Sequence, residues 1–437
     1  MKRIALTIAA SDTSGGAGIQ ADLRAFSIAG VHGYSVITCL TAQTPDKVYS
    51  IIPLDAEHVE NQVEKILDKV RPDAIKIGMV YSKEILSYIA DLIEDRELKP
   101  IVADPVFKAS DGTELCEKGY IDVYERKMLP LADLLTPNLE EAKILAGGEM
   151  SQEDLLKAIH EKGSRNVLLK GGHFEEKEST DILFDGKKIY RFSLPRILGY
   201  RCHGTGCTFS SLIAGNLAKG RGLKESIDLA KRVLWSMILN SYSIAGNKTR
   251  ILGEPIKFDI PPPDLGKEEF DIWFSLNKAV KELIKILSPE IIPEVGINIG
   301  YALRNAKNKN NICALDGRIT KAKTYGTPKF GASKHIASII LTAMKYDRNK
   351  RSAMNIRYSE EIVKRFEEKG FLVSYFEREK EPDQERSTME WGTKIAIERL
   401  GRVPDVIWDK GGHGKEPMIR VIGNDPFDLV SKIREIL

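Results

Sequence analysis

Up to about residue 250 the chain alternates short apolar runs with stretches of helical periodicity, and this alternation restricts the fold more than any other feature. Ile4–Ala9, Ser35–Leu40, Ala74–Val80, Ile101–Val106 and Val167–Lys170 read as buried strands. Between them, Ala56–Val70 sets Val59, Val63, Ile66, Leu67 and Val70 on one helical face. Ser151–Lys162 opens with a serine and an acidic first turn, a helix start. Strand and helix in alternation predict an α/β fold, a mostly parallel sheet with helices on both faces. Ligands of such folds bind beyond the carboxyl ends of the strands. The chemistry is therefore expected in Ser11–Gly18, Gly78-Met79, Asp104-Pro105, Thr136-Pro137-Asn138 and Gly171-Gly172-His173.

Near residue 255 the texture changes. Glu254–Pro263 has neither period and ends in the triplet Pro261-Pro262-Pro263, the mark of a stiff extended connector. A chain of 437 residues exceeds what one core supports. We expect a first domain over 1–255, a proline-rich linker over 256–267 and a second α/β domain over 268–437. The second domain opens with a helix over Phe270–Leu287.

The 65 basic and 62 acidic residues leave a net charge of +3, so nothing pulls the chain as a whole toward nucleic acid or an anionic membrane. Anion binding must be local. The five cysteines are scattered and odd in number, which implies neither a disulfide framework nor a zinc knuckle and fits a reducing compartment. The apolar run after Met1-Lys2-Arg3 ends too soon for a secretory signal, and no run is long enough to span a bilayer. A cytoplasmic enzyme is expected.

Gly204-Thr205-Gly206-Cys207, leading into an apolar helix, is the most pointed local pattern. Two glycines let backbone N–H groups turn inward, and the helix adds unsatisfied amides and the positive end of its dipole. A cysteine there is expected to have a lowered thiol pKa and to take a proton from a substrate hydroxyl. The combination points to phosphoryl transfer to an alcohol. A glycine turn before a helix with a packed cysteine is the plain alternative, and Ser14–Gly18 supplies a second glycine-rich loop that favours the chemical reading.

The strings ASDTSGGAGIQADL, TAQ, ADPV, TPNLEEA, LLKGGH and HGTGCTFS, in this order over residues 1 to about 250, resemble the hydroxymethylpyrimidine/phosphomethylpyrimidine kinases of thiamine biosynthesis. That resemblance implies a ribokinase-like fold, with ATP as co-substrate and Mg²⁺. It implies that Gln43 reads the aminopyrimidine, with Met79 and Val106 flanking the ring and Asp12 and Gly18 helping to form the acceptor pocket. Asn138 and Lys170 would order ATP phosphate, and Glu141 and Asp104 would serve the metal. Gly204, Thr205, Gly206 and Cys207 would act on the transferring phosphoryl group. A homodimer is expected by analogy with kinases of this fold. His173 and His203 remain ambiguous, and Cys39 and Cys202 are assigned to packing.

In the second domain, the loop Lys410-Gly411-Gly412-His413-Gly414-Lys415-Glu416 lies between two apolar runs and combines flexible backbone with convergent charge. This suggests a polyanion and its metal, with a charged surface hairpin as the alternative. The strings PEVGINIGYAL, KFGASKHIA, SAMNIRYSEE and WDKGGHGKEPM resemble the ThiN-type thiamine-phosphate synthases. The resemblance implies joining of hydroxymethylpyrimidine pyrophosphate to thiazole phosphate with release of pyrophosphate. From the chemistry of that departure, Arg318, His335, Arg357, Lys410, His413 and Lys415 are candidates for the anion, and Asp409 and Glu416 for the metal. The rival reading is a pyridoxal-type kinase fused to a non-catalytic, ligand-sensing module. Gln43 argues against exclusive use of pyridoxal, and the charged loop favours catalysis. Partners are small molecules, not nucleic acid or membrane.

Overall fold

In the computed structural model, which describes residues 2–171, 177–382, 387–412 and 414–437, the chain divides into two units, Met1–Ile256 and Lys257–Leu437. The first is built on nine strands: β1 (Ile4–Asp12), β2 (His32–Thr44), β3 (Lys47–Pro53), β4 (Ala74–Ile77), β5 (Ile101–Ala103), β6 (Leu134–Leu135), β7 (Val167–Leu169), β8 (Glu178–Phe184) and β9 (Ile189–Pro195). Their order across the sheet is β3-β2-β1-β4-β5-β6-β7-β8-β9. The six strands from β2 to β7 run parallel, while β3 at one edge and β8 and β9 at the other are antiparallel.

The inner parallel strands β4, β5, β6 and β7 are short and wholly buried because both faces are covered. One face carries a large cluster that joins Leu6, Ile75, Ile77 and Ile101 to Ile85, Ile89, Leu155 and Ile159 of flanking helices. The helices Gly18–Ala29 and Thr205–Ala218 pack on each other and on β1. The predicted runs to Val80 and Val106 overshoot, since β4 stops at Ile77 and β5 at Ala103, where the chain turns into the site loops. The helix read over Ala56–Val70 ends at Leu67, while Ser151 caps Gln152–Glu161 by accepting from the Asp154 N–H. Two further short strands, β10 (Cys202–His203) and β11 (Arg250–Ile251), pair in parallel and brace the segment before Gly204.

The second unit has seven strands: β12 (Ile299–Ala302), β13 (Ile312–Asp316), β14 (Thr327–Phe330), β15 (Ser352–Arg357), β16 (Val373–Tyr375), β17 (Val406–Asp409) and β18 (Met418–Gly423). They lie in the order β14-β13-β12-β15-β18-β17-β16, antiparallel except for β16 with β17. Alternate residues Ala353, Ile407 and Ile422 pack under the helices Lys334–Tyr346 and Thr388–Leu400. Part of the expected connector is not extended. Lys257–Asp259 forms a single turn with Phe258 buried edge-on against Tyr325, 4.8 Å between ring centroids, and Asp259 ion-paired to Lys281. Among the described residues no helix is long and apolar enough to cross a membrane.

Candidate active sites

The kinase-type site of the first unit gathers at the carboxyl ends of the parallel strands. Asp12 ends β1 and is buried, and its carboxylate accepts from the Ser14 and Ala17 N–H groups at 2.7 and 2.6 Å and from Ser14 Oγ at 3.0 Å. His203 Nε2 lies 3.0 Å from the same carboxylate. Burial alone would raise the Asp12 pKa, but bonds from His203, Gln43 and the Ala17 N–H outweigh it and hold the carboxyl well below the usual carboxylate range. Asp12 therefore shapes the loop that follows β1. Gly18 follows with φ +56°, and a Cβ there would lie 2.4 Å from the Ala10 carbonyl oxygen, so glycine alone fits.

Gln43, near the end of β2, is pinned by its backbone, which exchanges bonds of 2.9 and 3.0 Å with Thr13 Oγ1. Its side chain also reaches Asp12. Met79 and Val106 belong to one small apolar cluster with Ala10, Cys39, Val48 and Leu115.

At the other end of the site, Gly204 adopts φ +74° ahead of the helix Thr205–Ala218, whose first turn holds no acid. Thr205 and Gly206 are its first two residues, so their N–H groups are among those without an intrahelical partner. The Cβ position of Gly206 lies 3.2 Å from Lys170 Nζ, which puts the lysine at the same helix N-terminus. Lys170 Nζ bonds Asp104 at 2.5 Å and lies 3.9 Å from Glu141. Burial opposes its charge, but the two carboxylates raise its pKa and keep it protonated.

Asn138 and Glu141 cap the helix Leu139–Ala146 reciprocally, at 2.9 and 2.7 Å. Burial, opposed by Lys170, pushes the Glu141 carboxyl up to about 7. Asp104, expected at the metal, is bonded by Lys170 and by Thr136 Oγ1 at 3.1 Å, so it anchors the lysine. Among the described residues, no three His, Cys, Asp or Glu side chains gather into a metal cluster. A Mg²⁺ ion carried mainly by phosphates and water, with Glu141 beside it, would fit such a site.

Cys207 sits in the first turn of its helix with the Gly18 N–H directed at its sulfur, so two helix N-termini converge on one thiol. The expected lowering of the thiol pKa is not found. Burial pushes it up to about 11, against the pull of Lys76. Lys76 and its partner Asp22 were not among the sequence candidates. A lone lysine inside Ala74-Ile75-Lys76-Ile77 was the available signal.

In the second unit, His335 lies in the first turn of Lys334–Tyr346, a helix capped by Ser333, whose Oγ accepts from the Ile336 N–H at 3.4 Å. Partial burial lowers its pKa, and the charges of Arg318, Arg420, Arg378 and Lys415 lower it further, so the imidazole is held neutral among four cations. Arg318 is oriented by a 2.8 Å bond to the Val295 carbonyl. Arg378 and Arg420 were missed by sequence reasoning, although an arginine inside the apolar strand Met418–Gly423 is a visible anomaly.

Both metal candidates here are engaged in other bonds. Asp409 is fully buried and bonded by Arg378 at 2.5 Å, Arg420 at 2.6 Å and the Gly411 N–H at 2.8 Å. It is the counterion of the arginines. Glu416 accepts the Glu294 and Val295 N–H groups at 2.9 and 3.3 Å and ties down a loop. Lys410 is exposed and lies 3.7 Å from Glu360, and Arg357 is exposed at the end of β15. The loop joins the antiparallel strands β17 and β18, and His413 lies outside the described residues, as does His173.

A family model for phosphomethylpyrimidine kinase matches residues 12–251, and one for thiamine-phosphate synthase ThiN matches residues 275–435. The bifunctional thiamine biosynthesis protein ThiDN of Methanocaldococcus jannaschii is 35% identical over 448 residues, covering 99% of this chain and 98% of that protein. The hydroxymethylpyrimidine/phosphomethylpyrimidine kinase of Aquifex aeolicus is 38% identical over 54% of this chain and 95% of its own length. Among solved structures, an ADP complex of Bacillus subtilis pyridoxal kinase covers 58% of this chain and 98% of its own at 32% identity, with a TM-score of 0.54. Staphylococcus aureus pyridoxal kinase with AMP-PCP and pyridoxal covers 58% and 93% at 30% identity, with a TM-score of 0.53. With a ribokinase-like kinase unit followed by a ThiN unit, and a full-length relative that shares both, the chain belongs to the family of bifunctional thiamine-biosynthesis enzymes.

Proposed function

We propose that the first unit uses ATP to phosphorylate 4-amino-5-hydroxymethyl-2-methylpyrimidine and then its monophosphate, with the ring against Met79 and Val106 and its amine on the Gln43 carbonyl oxygen. The hydroxymethyl group points toward Cys207, and the phosphates of ATP lie over the N-terminus of Thr205–Ala218 beside Lys170 and Asn138. The observation that carries this reading is the meeting of an apolar wall, a carboxamide, a thiol, a lysine and two helix N-termini at the ends of adjacent strands. Preorganised N–H donors and a cation aimed at a migrating phosphoryl group supply most of the stabilisation such a transfer needs. Mg²⁺ on the nucleotide, beside Glu141, would neutralise further phosphate charge. Cys207 takes the hydroxyl proton as the oxygen attacks.

The second unit then joins the pyrimidine pyrophosphate to hydroxyethylthiazole phosphate. The cations around His335 fit the departing pyrophosphate, and Arg378 and Arg420, fixed on Asp409, give that end of the site its permanent charge. This departs from the sequence reading in leaving Asp409 and Glu416 out of any metal site.

Full-length Cys207→Ala protein separates the two activities. Kinase turnover should fall about 10²–10⁴-fold, the range for losing a general base. The same protein, given premade pyrimidine pyrophosphate, thiazole phosphate and Mg²⁺, should still make thiamine phosphate. Binding without product would make the second unit a sensor, and equal turnover of pyridoxal would overturn the assignment of Gln43.

A further inference from the structure

Lys76 lies in the middle of β4 between Ile75 and Ile77 and is wholly buried. Apolar packing would avoid the desolvation cost of a buried ammonium, so its presence asks for a partner and a use. The partner is Asp22, whose two oxygens lie 3.0 and 2.9 Å from Nζ. Thr7 Oγ1 and Ser211 Oγ each donate to the same carboxylate at 2.6 Å.

The helical registers supply the use. Asp22 stands four residues after Gly18, and Ser211 four after Cys207, so each pair shares one face of its helix, one turn or about 5.4 Å apart. In the upper layer the Gly18 N–H is directed at the Cys207 sulfur, and in the lower layer Ser211 bonds Asp22. Lys76 Nζ closes the lower layer from the sheet, where a Cβ on Gly78 would come within 2.6 Å of it. The largest charges that act on the thiol are Lys76 from β4, Asp104 from the end of β5 and Asp22 from the helix Gly18–Ala29, and Lys170 from the end of β7 senses the thiol in turn.

We propose that Lys76, seated on Asp22 one helical turn beneath Cys207, is a positioning residue of the kinase, holding the two helix N-termini in register and placing a fixed positive charge behind the sulfur. This rests on the reading of Cys207 as the proton acceptor. In that step the proton passes from the substrate hydroxyl to the thiolate and the oxygen bonds the γ-phosphorus of ATP. The bond to the bridging oxygen breaks, and its electron pair leaves with ADP. The thiol later returns its proton to solvent. Lys76 lowers the cost of the thiolate, and Asp22 limits that effect.

The test is the rate of Cys207 alkylation by iodoacetamide in the full chain, read at the Cys207 peptide by mass spectrometry across a range of pH. Lys76→Met should slow alkylation at fixed pH by about tenfold or more, and Asp22→Asn should speed it, as expected for single charges near a poorly solvated thiol. Loosened packing would move both variants in the same direction, so a shared direction, or no change in either, overturns the proposal. Should a single variant fail to fold, the neutral pair Lys76→Met/Asp22→Asn carries the test. Its kcat should fall at least about tenfold with KM for ATP retained, since Lys76 acts more strongly on the thiol than Asp22. A kcat and pH profile like those of the unsubstituted protein would overturn it. Undiminished turnover in Cys207→Ala would instead sink the proton-acceptor reading itself.

Discussion

Gly204 and Gly16 meet backbone to backbone: a Cβ on Gly204 would lie 1.8 Å from the Gly16 carbonyl oxygen. The two glycine loops, far apart in the chain, are thereby one structure. His203 strengthens the joint through Asp12, and its ring fills the space a side chain on Gly16 would need.

Gly204→Ala is therefore expected to part the two loops and misplace the N–H donors, compounded by the strain of φ +74°. Kinase kcat should fall by about 10²–10³-fold, comparable with loss of an oxyanion-type donor. Synthesis of thiamine phosphate from premade pyrophosphate should be unaffected. Steady-state assays of both reactions on one preparation check this, and equal loss of both would point to general unfolding.

A thiol raised to about 11 gives the kinase a definite pH dependence. Below that value the thiolate fraction falls tenfold per unit, so between about pH 7.5 and 9.5 log kcat should rise with pH at a slope near one. Glu141, at about 7, adds a further loss toward acid. The residual activity of Cys207→Ala should lack the alkaline rise. Stability runs the other way: from the unfolded thiol's value near ~8.5 up to about 11 the folded state keeps a proton that the unfolded chain has lost, so rising pH destabilises the fold. A flat kcat profile over that range would exclude the thiolate.

Asp409→Asn should leave Arg378 and Arg420 without their counterion. Removing one member of a buried ion pair costs about 3–5 kcal/mol. In a unit of this size that lowers the melting temperature by roughly 10 °C. Calorimetry should show one transition moving while that of the kinase unit stays. The Mg²⁺ concentration needed for half-maximal synthase rate should not change, whereas a metal ligand at Asp409 would raise it many-fold.

Local pattern carries the site where backbone is the reagent. The glycines at 18, 204 and 206 and the cap at Ser333 follow from steric and hydrogen-bond rules that act over a few residues, whereas β4 and β5 end short of the runs read from the sequence. The division near residue 256 is visible as a loss of periodicity, yet the packing of Phe258 on Tyr325 is not, because a proline-rich composition does not say what an aromatic will touch.

What the amino-acid order determined unaided was the α/β alternation, the two units and the glycine nests, since each is set by neighbours along the chain. Tertiary structure alone decided which charges meet. Lys76 finds Asp22 across 54 positions, and Asp409 finds Arg378 across 31, turning a supposed metal ligand into a buried counterion. It also reversed the expected direction for Cys207, because the electrostatics of a thiol depend on how much water the surrounding packing removes, and helix position is only one contribution to that sum.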